Sequence, residues 1–352
     1  MANSLTPEQV TANIKKGVFK PHIYLTNLCL SFFQESKNFV SSKMFPMVPV
    51  ALSSAHYYEF DKGDLARDNV ARKPEFGDVA PAVFGKRGKH YHCEVDQVIT
   101  GIDKISSLDY QRANAPAVID PRRAKIRFIA EQMKIHMDRK WADKYFNAAS
   151  WSHVYTGTST TPTGNRFYCF DNENSDPVKF FNSLGTAMLL AGLRRPNKIC
   201  MGINVFAALQ TNASVLERIK YQGSEANPAN VTENVLAQLF KVREIVVAES
   251  VYNAAPYGAK DDIKFICEPN DLLLCYATDL PSIDEPSAGY TFTWDMLGNG
   301  QYMAVSQFEG KESTHTEFIE GLICTDPEIT CPDLGVYLQG AVSPDFNVSM
   351  TV

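Results

Sequence analysis

His90-x-His92-Cys93-Glu94 is the place in this chain where residue types and spacing come nearest to holding a metal ion. On a strand, where side chains alternate, His90 and His92 share a face and could offer two imidazoles to one cation. Two ligands do not close a tetrahedral shell, and no further His or Cys cluster follows at ligand spacing. A solvated hairpin strand is the reading the pattern favours. Eight cysteines (Cys29, Cys93, Cys169, Cys200, Cys267, Cys275, Cys324 and Cys331) are scattered through apolar runs without a CxxC pair. They read as buried, reduced thiols. Cys324 and Cys331 flank a Pro-containing turn, a spacing that permits a disulfide without requiring one.

Other motif fragments are incomplete. Gly157 to Gly164 (GTSTTPTG) is glycine-rich but has neither the lysine nor the preceding strand of a phosphate-cradling loop. Gly298-Asn299-Gly300 falls short of a dinucleotide fingerprint, and Asp61, Asp64 and Asp68 lack the glycine and glutamate of a calcium loop. GxSxG and HExxH do not occur. No cofactor or metal is expected, and a catalytic role is not. The enzyme reading that stays open is a metal-assisted α/β hydrolase built on His90, His92 and a distant acid.

The elements that would position these residues are clearer than the chemistry. The chain centres on RRPNKICMGINVFAALQTN, Arg194 to Asn212. Ile199 to Ile203 reads as a buried strand, Asn204 as the cap of a short helix, and Val231 to Val247 as a helix followed by a strand, with Thr232 at the helix start. That is one α/β unit. Asp120-Pro121 starts a long helix in which Ile126, Ile129, Met133, Met137, Trp141 and Tyr145 recur at helical spacing to about Ala148. Asp176-Pro177 starts a second, ending near Gly192. Trp151 to Asn174 reads as a loop between them.

Upstream, residues 1–50 look like an arm, with a short apolar helix from Ile23 to Phe33 and an extended edge, FPMVPV, from Phe45 to Val50. Ala55 to Phe60 and His90 to Val98 are strand-like and enclose a turn-rich, basic excursion from Asp61 to Lys89. This pattern predicts a long β-hairpin projecting from the body, because a structureless loop of that length is unusual inside a compact domain. Its basic residues either face water or pair with acids on a neighbouring subunit. Late strands are expected at Phe265 to Cys267, Leu272 to Tyr276, Ser287 to Trp294 (SAGYTFTW), His315 to Cys324 and Val336 to Val342.

At 352 residues the chain exceeds one average domain. A formal net charge of -6 without a long basic block argues against a surface that grips nucleic-acid phosphates, although it allows a container around DNA. No stretch reaches membrane-spanning length, and the polar N-terminus lacks the apolar segment of a signal peptide.

Taken together, the arm, FPMVPV, the turn-rich hairpin, the Asp120-Pro121 helix, RRPNKICMGINVFAAL, NVLAQLFKVREIVVAESVYN and SAGYTFTW resemble the major capsid proteins of tailed bacteriophages, the Hong Kong ninety-seven type. The resemblance covers roughly residues 40–345. It implies an α+β fold with an arm (1–50), a strand and extended hairpin loop (51–100), a peripheral domain (101–176) with a spine helix over 120–149, an α/β axial domain (177–330) and a C-terminal return strand (331–352). It implies self-assembly through hexamers and pentamers into an icosahedral head around double-stranded DNA, formed in the host cytoplasm and found in the virion. Arg67, Arg72, Lys73, Phe76, Lys86 and Arg87 become candidates for inter-subunit contacts. FPMVPV begins by residue 45, which leaves no room for a cleaved scaffolding segment. A separate scaffolding protein is therefore expected, with a portal and a possible decoration protein. An encapsulin-type nanocompartment shares the fold and is the nearest alternative.

Overall fold

The computed structural model describes residues 38–60, 62–73, 75–83, 85–105, 121–220, 231–281, 285–296, 302–311, 313 and 315–346. The expected helix over 23–33, the Asp120 cap and Gly298 to Gly300 lie outside them. A short helix, α1 (Ser41–Met44), leads into β1 (Met47–Val50); β2 (Ser54–Phe60) and β3 (Lys86–His92) flank an excursion that starts with one helical turn, α2 (Lys62–Leu65). Next come β4 (Val95–Asp103), the long helix α3 (Pro121–Tyr145), β5 (His153–Thr158), β6 (Arg166–Tyr168), α4 (Pro177–Gly192), β7 (Lys198–Gly202), α5 (Ile203–Thr211), α6 (Ala213–Lys220) and α7 (Glu233–Phe240). The rest is strand: β8 (Glu244–Ala248), β9 (Val251–Asn253), β10 (Ile263–Phe265), β11 (Leu272–Cys275), β12 (Gly289–Trp294), β13 (Met303–Glu309), β14 (Thr316–Ile329) and β15 (Gly335–Gln339).

These strands make two large sheets joined by α3. In the six-stranded sheet, ordered β6-β5-β15-β11-β7-β8, both faces are covered, so runs such as Leu272–Cys275 are apolar throughout. Alternate residues serve two cores. Ile199, Met201, Ile245, Val247, Leu272 and Leu274 meet α4 to α7, while Cys200, Val246, Leu273, Cys275 and Tyr337 meet Trp141, Tyr145 and Phe146 at the end of α3. The other sheet is organised by β14. Its first part, Thr316 to Cys324, lies between β4 and β13, and its last residues pair with β12, which pairs in parallel with β1. Ile126, Ile129, Met133 and Met137 of α3 bury against Ile319, Ile323, Met303 and Val305 on this sheet. Helix α3 thus covers one sheet with its first half and the other with its last turns. At 25 residues it is about 37 Å long.

The long helix ends at Tyr145, and Ala148–Ser150 is a separate 3-10 turn, so the spine is shorter than the expected 120–149. The region 151–174 is not a loop. It contains β5 and β6, whose short, irregular burial gave no period to read. Gly202 holds the cap position of α5; Asn204 lies inside that helix and donates from Nδ2 to Asn270 Oδ1 at 2.8 Å. Thr232 sits at the cap of α7, but its hydroxyl makes no capping bond. Asp176 does cap α4, accepting from the Lys179 amide. Pro327 belongs to β14 and not to a turn between Cys324 and Cys331. It lies beyond β4, where only β12 pairs with β14 and a missing N–H is tolerated.

The sheets also cut across chain order. Residues 289–329, which fall in the expected 177–330 axial domain, supply strands to the sheet under the first half of α3, whereas 153–168 join the six-stranded sheet. Leu239, a core position by spacing, is only partly buried at the rim, while Leu236 and Phe240 point inward. Leu239→Asp is therefore expected to cost about 1–2 kcal/mol and still fold, since the charge can reach water. Thermal melting of the purified variant checks this; a chain that cannot be purified folded would contradict it.

Candidate assembly surface

The hairpin that carries the candidate contact residues is rooted by packing and by charge. β2 and β3 pair antiparallel over their full length, from Ser54 opposite His92 to Phe60 opposite Lys86. Lys86 to Lys89 therefore belong to a strand, and the excursion between strands is shorter than the expected Asp61 to Lys89. At the root, the Tyr91 ring stacks on Phe292 with centroids 4.5 Å apart, and Tyr57 lies against the same ring. Burial, and behind it the Glu328 carboxylate, push the Tyr57 phenol well above its usual range, so it stays neutral. Lys89 Nζ pairs with Glu59 at 2.9 Å and donates to the Thr330 carbonyl at 3.1 Å; the His92 amide donates to Asp326 at 2.8 Å.

Beyond the root the chain leaves the body. Asp64 accepts from the Gly85 amide at 3.0 Å, which closes the neck of the excursion, and lies 3.6 Å from Arg67. Arg67, Arg72, Lys73 and Arg87 are exposed, and Lys86 sits 4.7 Å over the Tyr58 ring. Phe76 is 100% exposed, with φ of 61°, and Val70 and Val83 are 91% and 80% exposed. A left-handed, fully exposed phenylalanine costs energy twice over, in backbone strain and in hydration, without return inside the monomer. The sequence pointed to the basic residues and Phe76; it did not single out Val70 and Val83, because a valine in a turn-rich stretch has no periodic signal.

His90 and His92 do share the solvent face of β3. The ring of His56 lies opposite His90 with centroids 6.4 Å apart. The nearby cavity, about 280 Å³, is lined by His90, His92, Glu94, Lys140 and Asp326. Among the described residues no group of three or more His, Cys, Asp or Glu is arranged to hold a metal ion. Nor is any helix among them long and apolar enough to cross a membrane.

Two buried polar contacts missed in the sequence fix the neighbouring parts. Asp138, in the middle of α3, accepts from the amides of Val40 (3.1 Å) and Ser41 (2.9 Å) and from the Ser250 hydroxyl (2.9 Å). Burial raises its carboxyl, against these hydrogen bonds. At the other end of α1, Lys198 Nζ donates to the Lys43 carbonyl at 2.6 Å. An acid at the start and a cation at the end suit the dipole of this short helix and pin α1 to the body. The helical spacing of Ala130, Lys134 and Asp138, beside the apolar stripe, was the available signal.

Asp96 of β4 joins the hairpin root to α3. Burial alone would raise its carboxyl, yet hydrogen bonds from Lys140 and from His136 (2.9 Å) hold it below the usual range. A depressed carboxyl adds stability that is present above its unfolded value, near pH 4, and is lost as pH falls through the folded one. Asp96→Asn is expected to lower stability by about 1 kcal/mol at pH 7, with the gap to wild type closing below about pH 4. Denaturant melts at both pH values test it, and a gap unchanged at low pH would remove the ion pair as its cause.

Two sheets sharing one long helix, with the β2–β3 hairpin rooted against Phe292, define the class of fold. The fold is that of tailed-phage capsid proteins. A phage-related protein from Bordetella bronchiseptica RB50 superposes with a TM-score of 0.68 at 19% identity, covering 92% of this chain and 98% of that one. The capsid of cyanophage P-SCSP1u superposes at 0.52 with 10% identity, over 87% of this chain and 89% of its own. The SrpI encapsulin of Synechococcus elongatus PCC 7942 does so at 0.50 with 9% identity, over 97% and 98%. No family model matches the chain. In sequence, the chain is 23% identical over 235 residues to the major capsid protein of Burkholderia phage BcepMu, covering 65% of this chain and 68% of that protein.

Proposed function

We propose that this protein is the major capsid protein of a tailed bacteriophage, a structural subunit and not an enzyme, which assembles into an icosahedral head around double-stranded DNA. The observation that carries this reading is the sequence relationship to the BcepMu major capsid protein. Fold alone does not choose between a phage head and an encapsulin shell, since both superpose. Within the subunit, the six-stranded sheet with α4 to α7 acts as the axial domain around five-fold and six-fold axes, and the first half of α3 with the β14 sheet as the peripheral domain. The 61–85 excursion reaches a neighbouring subunit; about twelve residues each way extend at most roughly 40 Å. Arg67, Arg72, Lys73, Phe76, Lys86 and Arg87 contact that neighbour. A separate scaffolding protein, a portal protein and a decoration protein are the further partners, with assembly in the host cytoplasm and residence in the virion.

Negative-stain imaging with light scattering, on the protein alone and then with its scaffolding partner, tests the proposal. Closed shells, or pentamers and hexamers that convert to shells, are expected. Stable monomers or dimers under both conditions overturn it. Shells that co-purify with a protein cargo would favour the encapsulin reading.

A further inference from the structure

The fold brings two cysteines from distant parts of the chain against each other. Cys93 directly follows β3 at the hairpin root, and Cys324 marks the point where β14 exchanges β4 for β12. Cys324 stands opposite Val95, two residues from Cys93, and two residues from Asp326, the partner of Phe292. Both thiols belong to one buried cluster with Tyr91 and Phe292, at 3% and 0% exposure. Cys93 Sγ lies 3.7 Å from the Phe292 carbonyl, and the Cys324 thiol donates to the Cys93 sulfur.

The other described cysteines lack this combination. Cys331 lies beyond five further residues of β14, about 17 Å of extended strand, which is out of reach of a disulfide with Cys324. Cys200 and Cys267 also touch, but burial and then Cys267 itself push the Cys200 thiol well up, and burial pushes Cys275 beside them up to about 12. At Cys93 the hydrogen bond from Cys324 lowers the thiol, against burial, and nearby Lys140 adds to the effect. The thiolate is the nucleophilic form of cysteine. Access comes through the neighbours, since His92, Glu94, Thr325 and Lys140 line the cavity of about 280 Å³, room enough for a peroxide.

We propose that Cys93 and Cys324 are a redox-active pair, which a peroxide converts to a disulfide that bolts the root of the β2–β3 hairpin to β14. The Cys93 thiolate attacks one peroxide oxygen, the O–O bond breaks, and the hydroxide released takes up the proton that Cys93 had shed, leaving a sulfenic acid. The Cys324 sulfur then attacks the Cys93 sulfur. The S–S bond forms, and the sulfenic hydroxyl leaves with the Cys324 proton as a second water. Two thiols and one peroxide thus give one disulfide and two waters, with two electrons passing from sulfur to oxygen. What chiefly raises the Cys324 thiol is its hydrogen bond to Cys93, which the first step removes. The pair needs only the subunit and is independent of the assembly reading.

The test treats the reduced full-length chain with hydrogen peroxide, alkylates the remaining thiols and digests without reduction. Peptides joined through Cys93 and Cys324 are expected, and dithiothreitol should separate them. The melting temperature of the joined chain should rise by about 5 °C, because the bond closes a loop of about 230 residues in the unfolded chain. In Cys324→Ser the sulfenic acid has no partner thiol, so dimedone should label Cys93 about tenfold more than in wild type. Cys93 and Cys324 both alkylated after peroxide, a link formed between Cys200 and Cys267 instead, or a joined chain that melts below the reduced one would each overturn the proposal.

Discussion

Joining Phe60 to Lys86 through an Asn-Gly turn, in place of residues 61–85, is expected to give a chain that folds as before and builds no shells. The two residues already stand opposite each other at the end of the β2–β3 ladder, so a two-residue turn closes the strands in their native register. The root keeps its stacking on Phe292 and its Lys89–Glu59 pair. Melting should stay within a few degrees of wild type. The assembly loss is large. Burial of one phenylalanine and two valines against a neighbour contributes on the order of 5 kcal/mol, more than a thousandfold in association, before the cost of ordering the loop. Electron microscopy and sedimentation of the excised chain check both halves. Regular shells would remove the excursion's assigned role, and an unfolded chain would show that it stabilises the monomer.

The second large effect is expected from a single methyl group. A Cβ on Gly335 would lie 2.1 Å from two ring carbons of Trp151, whose indole is fixed by donation from Nε1 to the Tyr145 carbonyl at 2.7 Å. The ring is buried between α3 and the six-stranded sheet. Gly335→Ala should therefore destabilise the chain by about 3 kcal/mol or more, at the upper end for overpacking. Gly88→Ala is the control. Its nearest neighbour would be Tyr58 at 4.0 Å, and it should change stability by less than about 0.5 kcal/mol. Equal melts for the two variants would mean that Trp151 can move aside.

The comparison of these two glycines also shows where sequence reading stopped. In sequence Gly335 and Gly88 are indistinguishable; only the packing of a ring 184 positions away in the chain, brought over the start of β15, separates them.

What the amino-acid sequence determined by itself were the elements whose information is local. Pro121 and the three-to-four spacing from Ile126 to Tyr145 specify the long helix, the Asp176-Pro177 pair caps α4, and β-branched runs mark β7 and β8. The hairpin was legible too, because two strand-like flanks around a turn-rich excursion have few other solutions. The tertiary structure alone decided what depends on distant partners. β5 and β6 exist as strands because β15 offers them an edge. β14 changes neighbours at Cys324, so strands late in the chain return to the sheet that begins with β4. Asp138 and Lys198 are buried because α1 supplies the amides and the carbonyl they need. Exposure of Phe76 likewise cannot be read from residue type, since an apolar side chain is a core residue or a contact surface according to whether the rest of the fold reaches it.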